Sequence, residues 1–237
     1  MNLPVKAAPI YNLTIPSSKK KVKFRPWLVK EEKSLLIAQQ SEDQEVMRDT
    51  LKHIIELCII DNINVNDLST FDLEYIFTQI RGKSVGEDVE LIFRCQHCTD
   101  EKAKVKIKFD ITKIEVDFPQ NHSKKIPLFD NVGIMMKYPT VDVIQSLNSQ
   151  NKDDVNSIFK TVISCIDYVY DSDEIYYASE STDEELDSFL SQLTSVQFAK
   201  LEEFFETLPR MKHDIKYKCP VCGKDNHVTL EGMTSFF

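Results

Sequence analysis

At 237 residues, 42% of them apolar and only five glycine, the chain can bury one good core or two small ones and reads as an ordinary globular protein rich in helix. No apolar run approaches the roughly 20 residues that cross a bilayer, and the N-terminus lacks a signal peptide's apolar stretch, which sets aside the membrane and secretory classes. The net charge is −9, and nine acids with no Lys or Arg fall between Asp167 and Asp187, so the rest of the chain is neutral and offers a weak footprint for nucleic acid.

In chain order, Ile10–Ile15 and Lys21–Arg25 alternate like strands on either side of Pro16-Ser-Ser-Lys-Lys, predicting a hairpin that ends at Pro26-Trp27. Helices are expected over 29–39 and 43–60, the second carrying Val46, Leu51, Ile54, Ile55 and Cys58 on its apolar face. Residues 61–67 are rich in turn formers but lack the spacing and terminal Glu of a calcium loop. A helix over 71–81 follows, with Leu73, Ile76, Phe77 and Ile80 on one side. Gly82 and Gly86 lead into a hairpin over 88–108. Beyond a polar loop come a strand candidate at 133–137, a helix from Pro139 to Leu147, and a strongly apolar helix from Val155 to Tyr168 placed at the centre of the core. The acidic stretch reads as a solvated loop. Its interleaved Tyr176 and Tyr177 are candidates for contact with a basic partner. Helices at 184–190 and 196–208 precede a last hairpin, 210–231. The tail then brings Met233, Phe236 and Phe237, whose apolar side chains should either fold back or anchor in a partner's groove.

The sharpest chemical signal is a pair of CxxC steps, Cys95-Gln-His-Cys98 and Cys219-Pro-Val-Cys222, each between two strand-like runs. A two-residue spacer lets one tight turn aim two thiolates at one metal, and zinc takes four such ligands tetrahedrally. One structural zinc held by Cys95, Cys98, Cys219 and Cys222 is the economical reading. The alternatives are a site that recruits His97 or His227, and a redox dithiol, although that motif ordinarily opens a helix. The distance in sequence between the pairs exceeds that of an ordinary ribbon, implying a composite site that clips a middle segment to the C-terminal one. Cys58 and Cys165 stand alone in apolar surroundings as candidate core thiols, and the whole pattern suits a reducing cytosol.

No catalytic constellation appears: there is no phosphate-cradling glycine loop, nucleophile elbow or HExxH, and four thiolates leave a metal no open position. Together the elements predict an α+β protein with a mainly helical core, short antiparallel hairpins and a composite four-cysteine, zinc-ribbon-like site. The expected segments are an N-terminal hairpin (1–28), a helical segment (29–87), a first zinc hairpin (88–110), a helical segment with an acidic loop (111–209), and a second zinc hairpin with an apolar tail (210–237), all in one compact domain.

Two longer motifs carry a family likeness. Phe24-Arg-Pro-Trp-Leu-Val-Lys-Glu-Glu-Lys33 and Phe71-Asp-Leu-Glu-Tyr-Ile-Phe-Thr-Gln-Ile-Arg-Gly-Lys-Ser-Val-Gly-Glu87, followed by the knuckles and the Leu-Glu-Gly-Met-Thr-Ser-Phe-Phe ending, resemble the baseplate protein family of T-even-type contractile-tailed phages over essentially the whole chain. The resemblance implies a non-enzymatic component of the baseplate hub, or a factor that helps the hub assemble. It would be made in the host cytoplasm and bind other tail proteins such as hub or tape-measure proteins, with no nucleic acid, membrane or small-molecule substrate. The alternative from another class is a zinc-ribbon nucleic-acid-binding protein such as a viral transcription factor.

Overall fold

A computed structural model gives the architecture of residues 7–144 and 155–232. Helix makes up 39% and strand 29%, and the strands form four antiparallel sheets, which overturns the expected mainly helical core. The chain divides into two compact units, one built from Met1–Asn66, Phe71–Asp117 and Arg210–Phe237, the other from Asp67–Thr70 and Phe118–Pro209.

The first unit opens with the hairpin β1 (Tyr11–Thr14) and β2 (Lys21–Phe24), where the period-2 alternation buries Leu13, Val22 and Phe24. Helices α1 (Val29–Ser41) and α2 (Gln44–Cys58) follow, and Asp43 caps α2 by accepting the Glu45 and Val46 N–H groups. The apolar stripe Leu51, Ile54, Ile55 and Cys58 is buried, and the chain leaving α2 runs back along β2: the Arg25 N–H donates to the Cys58 carbonyl and the Ile60 N–H to the Lys23 carbonyl, both at 2.9 Å.

The first family-like motif is the joint between that hairpin and α1. Phe24 enters the core, and the Glu31 carboxylate, itself buried, turns back to accept the Leu28 N–H at 2.6 Å and the Arg25 guanidinium at 3.1 Å. Burial pushes the Glu31 carboxyl upward, but the Leu28 N–H and Arg25 outweigh it and hold it below the ordinary carboxylate range. Trp27 donates its backbone N–H to the Ser84 hydroxyl at 2.9 Å and lays its ring 5.5 Å from that of Phe77. The second motif is α3 (Thr70–Ser84) and its exit. Phe71, Leu73, Ile76, Phe77 and Ile80 are buried, Asp72 accepts both the N–H and the hydroxyl of Ser17 in the β1–β2 turn, and Gln79 donates to the Thr112 carbonyl at 2.9 Å. A Cβ at Gly82 would lie 2.4 Å from the Thr112 methyl, so glycine is what lets this helix approach that segment.

Two hairpins complete the unit. β3 (Asp88–Arg94) pairs β4 (Lys104–Asp110), while β10 (Arg210–Lys218) lies between β11 (Asp225–Glu231) and the short β5 (Glu115–Asp117). Their shared core is small: Val89, Ile111, Ile114, Met211, Ile215, Tyr217 and Leu230.

The second unit is a four-stranded meander, β6 (Lys125–Phe129), β7 (Val132–Met136), β8 (Ile166–Tyr170) and β9 (Ile175–Tyr177), packed with α4 (Val155–Ser164), α5 (Asp183–Ser191) and α6 (Ser195–Glu206). Its core gathers Ile126, Leu128, Ile134, Met136, Val162, Ile163, Cys165, Ile166, Val169, Leu186, Leu190, Leu201 and Phe204. Thr182 and Thr194 start α5 and α6 with capping boxes completed by Glu185 and Gln197. At Gly133 a Cβ would meet the Tyr170 hydroxyl at 2.2 Å; its absence lets Tyr170 lie across β7 and bring its ring 4.8 Å from the Lys125 ammonium on β6.

Here the expected helical segment with an acidic loop needs correction. The predicted Val155–Tyr168 helix ends at Ser164, where the Cys165 N–H bonds the Thr161 and Val162 carbonyls; the Cys165 carbonyl then takes the Lys137 N–H at 2.8 Å, and the chain continues as β8. The acidic stretch is ordered as β8, β9, a 3-10 turn and α5. The end of the Pro139–Leu147 helix and the residues Met233, Phe236 and Phe237 lie outside the described residues.

Candidate metal centre

The β3–β4 and β10–β11 hairpins end in the two knuckles, and their tips come together in the first unit. All four sulfurs lie within 4.8 Å of one another. Cys95 and Cys222 approach to 3.6 Å, Cys98 and Cys219 to 3.8 Å, so each knuckle is matched crosswise to the other. A disulfide would need about 2.05 Å. Four sulfurs about 2.3 Å from a central ion in a tetrahedron sit about 3.8 Å apart, the spacing seen for the close pairs.

Backbone geometry aims the thiols. The Cys95 N–H donates to the Ala103 carbonyl and the Cys219 N–H to the Lys224 carbonyl, closing each loop at its base, at 3.0 and 2.9 Å. Beyond that the loop amides turn inward: the His97 N–H lies 3.3 Å from the Cys95 sulfur, and the Val221 and Cys222 N–H groups 3.4 and 3.5 Å from the Cys219 sulfur. Gly223, at φ +71°, supplies the left-handed step that lets its N–H return to the Cys219 carbonyl. These donors favour thiolate, the form a metal binds. At Cys95 burial raises the thiol, but the His97 N–H and the neighbouring cysteines prevail and bring it to about 6; Cys98, desolvated and beside the same sulfurs, is pushed up to about 12. The buried Cys58 and Cys165 go to about 11 and about 12 by desolvation, as expected of inert core thiols.

A second set of contacts ties one hairpin to the other. Buried Asn226 accepts the Gln96 N–H at 2.9 Å and donates to the Lys224 carbonyl, Gln96 reaches the His227 carbonyl, and the Tyr217 hydroxyl donates to the Arg94 carbonyl at 2.6 Å. Neither histidine alternative joins the thiols. His97 Nε2 lies 3.1 Å from the Asp225 carbonyl, and His227 Nε2 lies 3.0 Å from Asp214, which also accepts from Thr229. Among the described residues, the four cysteines are the only group of this kind. Sequence reasoning missed Asn226, Gln96 and Tyr217. Polar residues flanking a knuckle were the available signal, but their partners lie in the other hairpin.

Some cations of these hairpins face neighbouring acids, and nothing in the structure supports nucleic-acid binding. Lys106 pairs with Glu90 at 2.9 Å, Lys108 with Asp88 at 2.8 Å, and Arg210 and Lys212 both reach Glu231 at 3.6 Å. Tyr176 and Tyr177 are exposed on β9. Among the described residues no helix is long and apolar enough to cross a membrane.

Searches of curated proteins and of solved structures returned no match. The family model described as "T4 bacteriophage base plate protein" matches residues 8–237, which takes in both motifs and both knuckles. The chain belongs to the T4 bacteriophage base plate protein family.

Proposed function

We propose that this protein is a non-enzymatic component of the baseplate hub, or a factor that assembles the hub, and that it acts by binding other tail proteins with a hairpin pair fastened by one structural zinc. Family membership supports the baseplate role, with contacts to other phage structural proteins. The convergence of Cys95, Cys98, Cys219 and Cys222 supports a metal, and the donor set is compatible with zinc, which takes four thiolates tetrahedrally in closed structural sites that leave no position for substrate. Because the site draws on both hairpins, metal affinity becomes folding free energy for the unit. Synthesis in the host cytoplasm keeps the thiols reduced until the metal binds. Co-expression with each tail protein in turn, followed by pull-down, tests the partner reading. A hub or tape-measure protein should co-purify saturably, and failure with every baseplate protein would remove the hub assignment.

A further inference from the structure

The two edges of the meander in the second unit are treated differently. At one edge β6 carries Pro127, a register shift between Pro127 and Phe129, and the Lys200 ammonium bonded to the Pro127 and Leu128 carbonyls at 2.8 and 3.2 Å. Prolines, bulges and lysines are the usual means of keeping an edge from taking up another strand. At the opposite edge β9 has none of these. Ile175, Tyr176 and Tyr177 are 51%, 47% and 46% exposed, so large apolar side chains stand in solvent on both faces of one short strand.

Its backbone is open as well. The Asp171 N–H bonds the Glu174 carbonyl at 3.1 Å, closing the turn, and the ladder pairs Tyr170 with Ile175, Val169 with Tyr176 and Tyr168 with Tyr177. Antiparallel pairs alternate between bonded and non-bonded, so Tyr176 turns its N–H and C=O toward β8 while Ile175 and Tyr177 turn theirs outward. The Tyr177 carbonyl takes the Ser181 hydroxyl at 3.2 Å; the Ile175 groups face the open edge. Around this edge stand Asp171, Asp173, Glu174 and Glu180, within the stretch that has no Lys or Arg.

We propose that β9 receives an extended, basic segment of another tail protein as an added strand: the Ile175 N–H and C=O and the Tyr177 N–H supply the backbone hydrogen bonds, the exposed tyrosines the contact area, and the acids the attraction for lysine or arginine side chains. This rests on the reading that the chain acts by binding tail proteins. It adds the place and the chemistry of one such contact.

The test uses the intact, metal-loaded chain and four fluorescent peptides: alternating lysine–valine, alternating glutamate–valine, and two lysine–valine peptides N-methylated at every second residue, one in each register. The plain basic peptide should bind saturably and more weakly as salt rises. The acidic peptide, and the methylated one in the register that blocks its bonding edge, should each lose about tenfold or more in affinity. Ile175→Pro, which removes an outward N–H that no strand bond within the sheet uses, should weaken the basic peptide comparably while leaving the melting temperature within a few degrees. Equal binding of methylated and plain peptides in both registers would reduce the effect to nonspecific charge attraction and overturn the proposal. So would equal binding of acidic and basic peptides, or none by the basic one. A failed peptide test leaves the tail-protein pull-downs standing, since those read binding anywhere on the chain.

Discussion

The paired hairpins of the first unit and the meander of the second reach order by different means. The second, drawn almost entirely from one continuous stretch of chain, buries thirteen side chains in a single cluster beneath a four-stranded meander. The hairpins of the first unit are contributed by segments far apart in sequence, and their shared cluster holds seven buried residues, with the cysteines as a small separate group at the tips. A small core supplies little beyond the entropy of ordering its strands, and joining distant segments raises that entropic cost. Where the apolar core is thin, cross-hairpin hydrogen bonds add to it, and on the proposed reading a metal held by the four cysteines adds more.

The largest effect should come from attacking the clip. Structural zinc contributes on the order of 10 kcal/mol in small zinc modules, more than any single side chain. Chelation, or Cys219→Ser, should raise hydrogen exchange across 88–110 and 210–231 together while leaving the amides of β6 to β8 protected. Loss of protection in one hairpin alone would break the comparison.

The complementary experiment empties the larger core. Phe204 is buried and packed among the rings of His122, Tyr138 and Phe205, so Phe204→Ala should cost about 3–5 kcal/mol in the second unit. That loss should be the same with and without chelator. Trp27, the sole tryptophan, packs in the first unit and gives a separate readout by fluorescence.

A smaller effect belongs to the joint after β2. Arg25→Ala leaves the buried Glu31 carboxylate with the Leu28 N–H and the exposed Lys30 ammonium but without its guanidinium, at about 2–3 kcal/mol, below the full cost of a broken buried pair because Arg25 is partly exposed and Lys30 remains. The folded Glu31 carboxyl lies below its unfolded value, so its stabilisation is present above the ordinary carboxylate pKa and is lost as pH falls through the folded one. Urea titrations read by Trp27 should show that acid-side loss in the parent and a flatter limb in Arg25→Ala. Equal slopes would contradict the assignment.

The smallest effect should sit in the second unit. His122 stacks on Tyr138 and Phe204, and burial, then the charge of Lys124, holds its imidazole below the usual histidine range. A depressed folded pKa makes the stabilisation present above the unfolded value of about 6.5 and lost as pH falls below it. His122→Phe should remove that slope from the second unit and leave the first unit's response unchanged.

Local chemistry was legible in the sequence; strand pairing was less so. The first hairpin, helices α1 to α3 and the two knuckles follow from alternation, helical periodicity and CxxC spacing, each confined to a few residues. The run from Val155 to Tyr168 reads as one apolar helix because periodicity alone does not mark the break at Cys165. Ile166-Asp-Tyr-Val-Tyr170 carried the contrary signal in its β-branched and aromatic alternation. β6 was missed because Pro127 interrupts it; proline is tolerated there because β6 is an edge, and Pro127 pairs with Gly133 beside a bulge. The acidic stretch looked like a loop because its order comes from pairing with β8, which no local pattern announces. At the metal centre the ligands were legible from spacing, whereas Asn226, Gln96 and Tyr217 act across hairpins that only the fold brings together.

The central claim, that four thiolates of two distant segments hold one zinc, is tested most directly by native mass spectrometry with elemental analysis of the freshly purified chain. One zinc per chain should be found, and none after Cys95 and Cys219 are both replaced by serine. Less than about half an equivalent in the parent protein, or full zinc retained by the double variant, would contradict it.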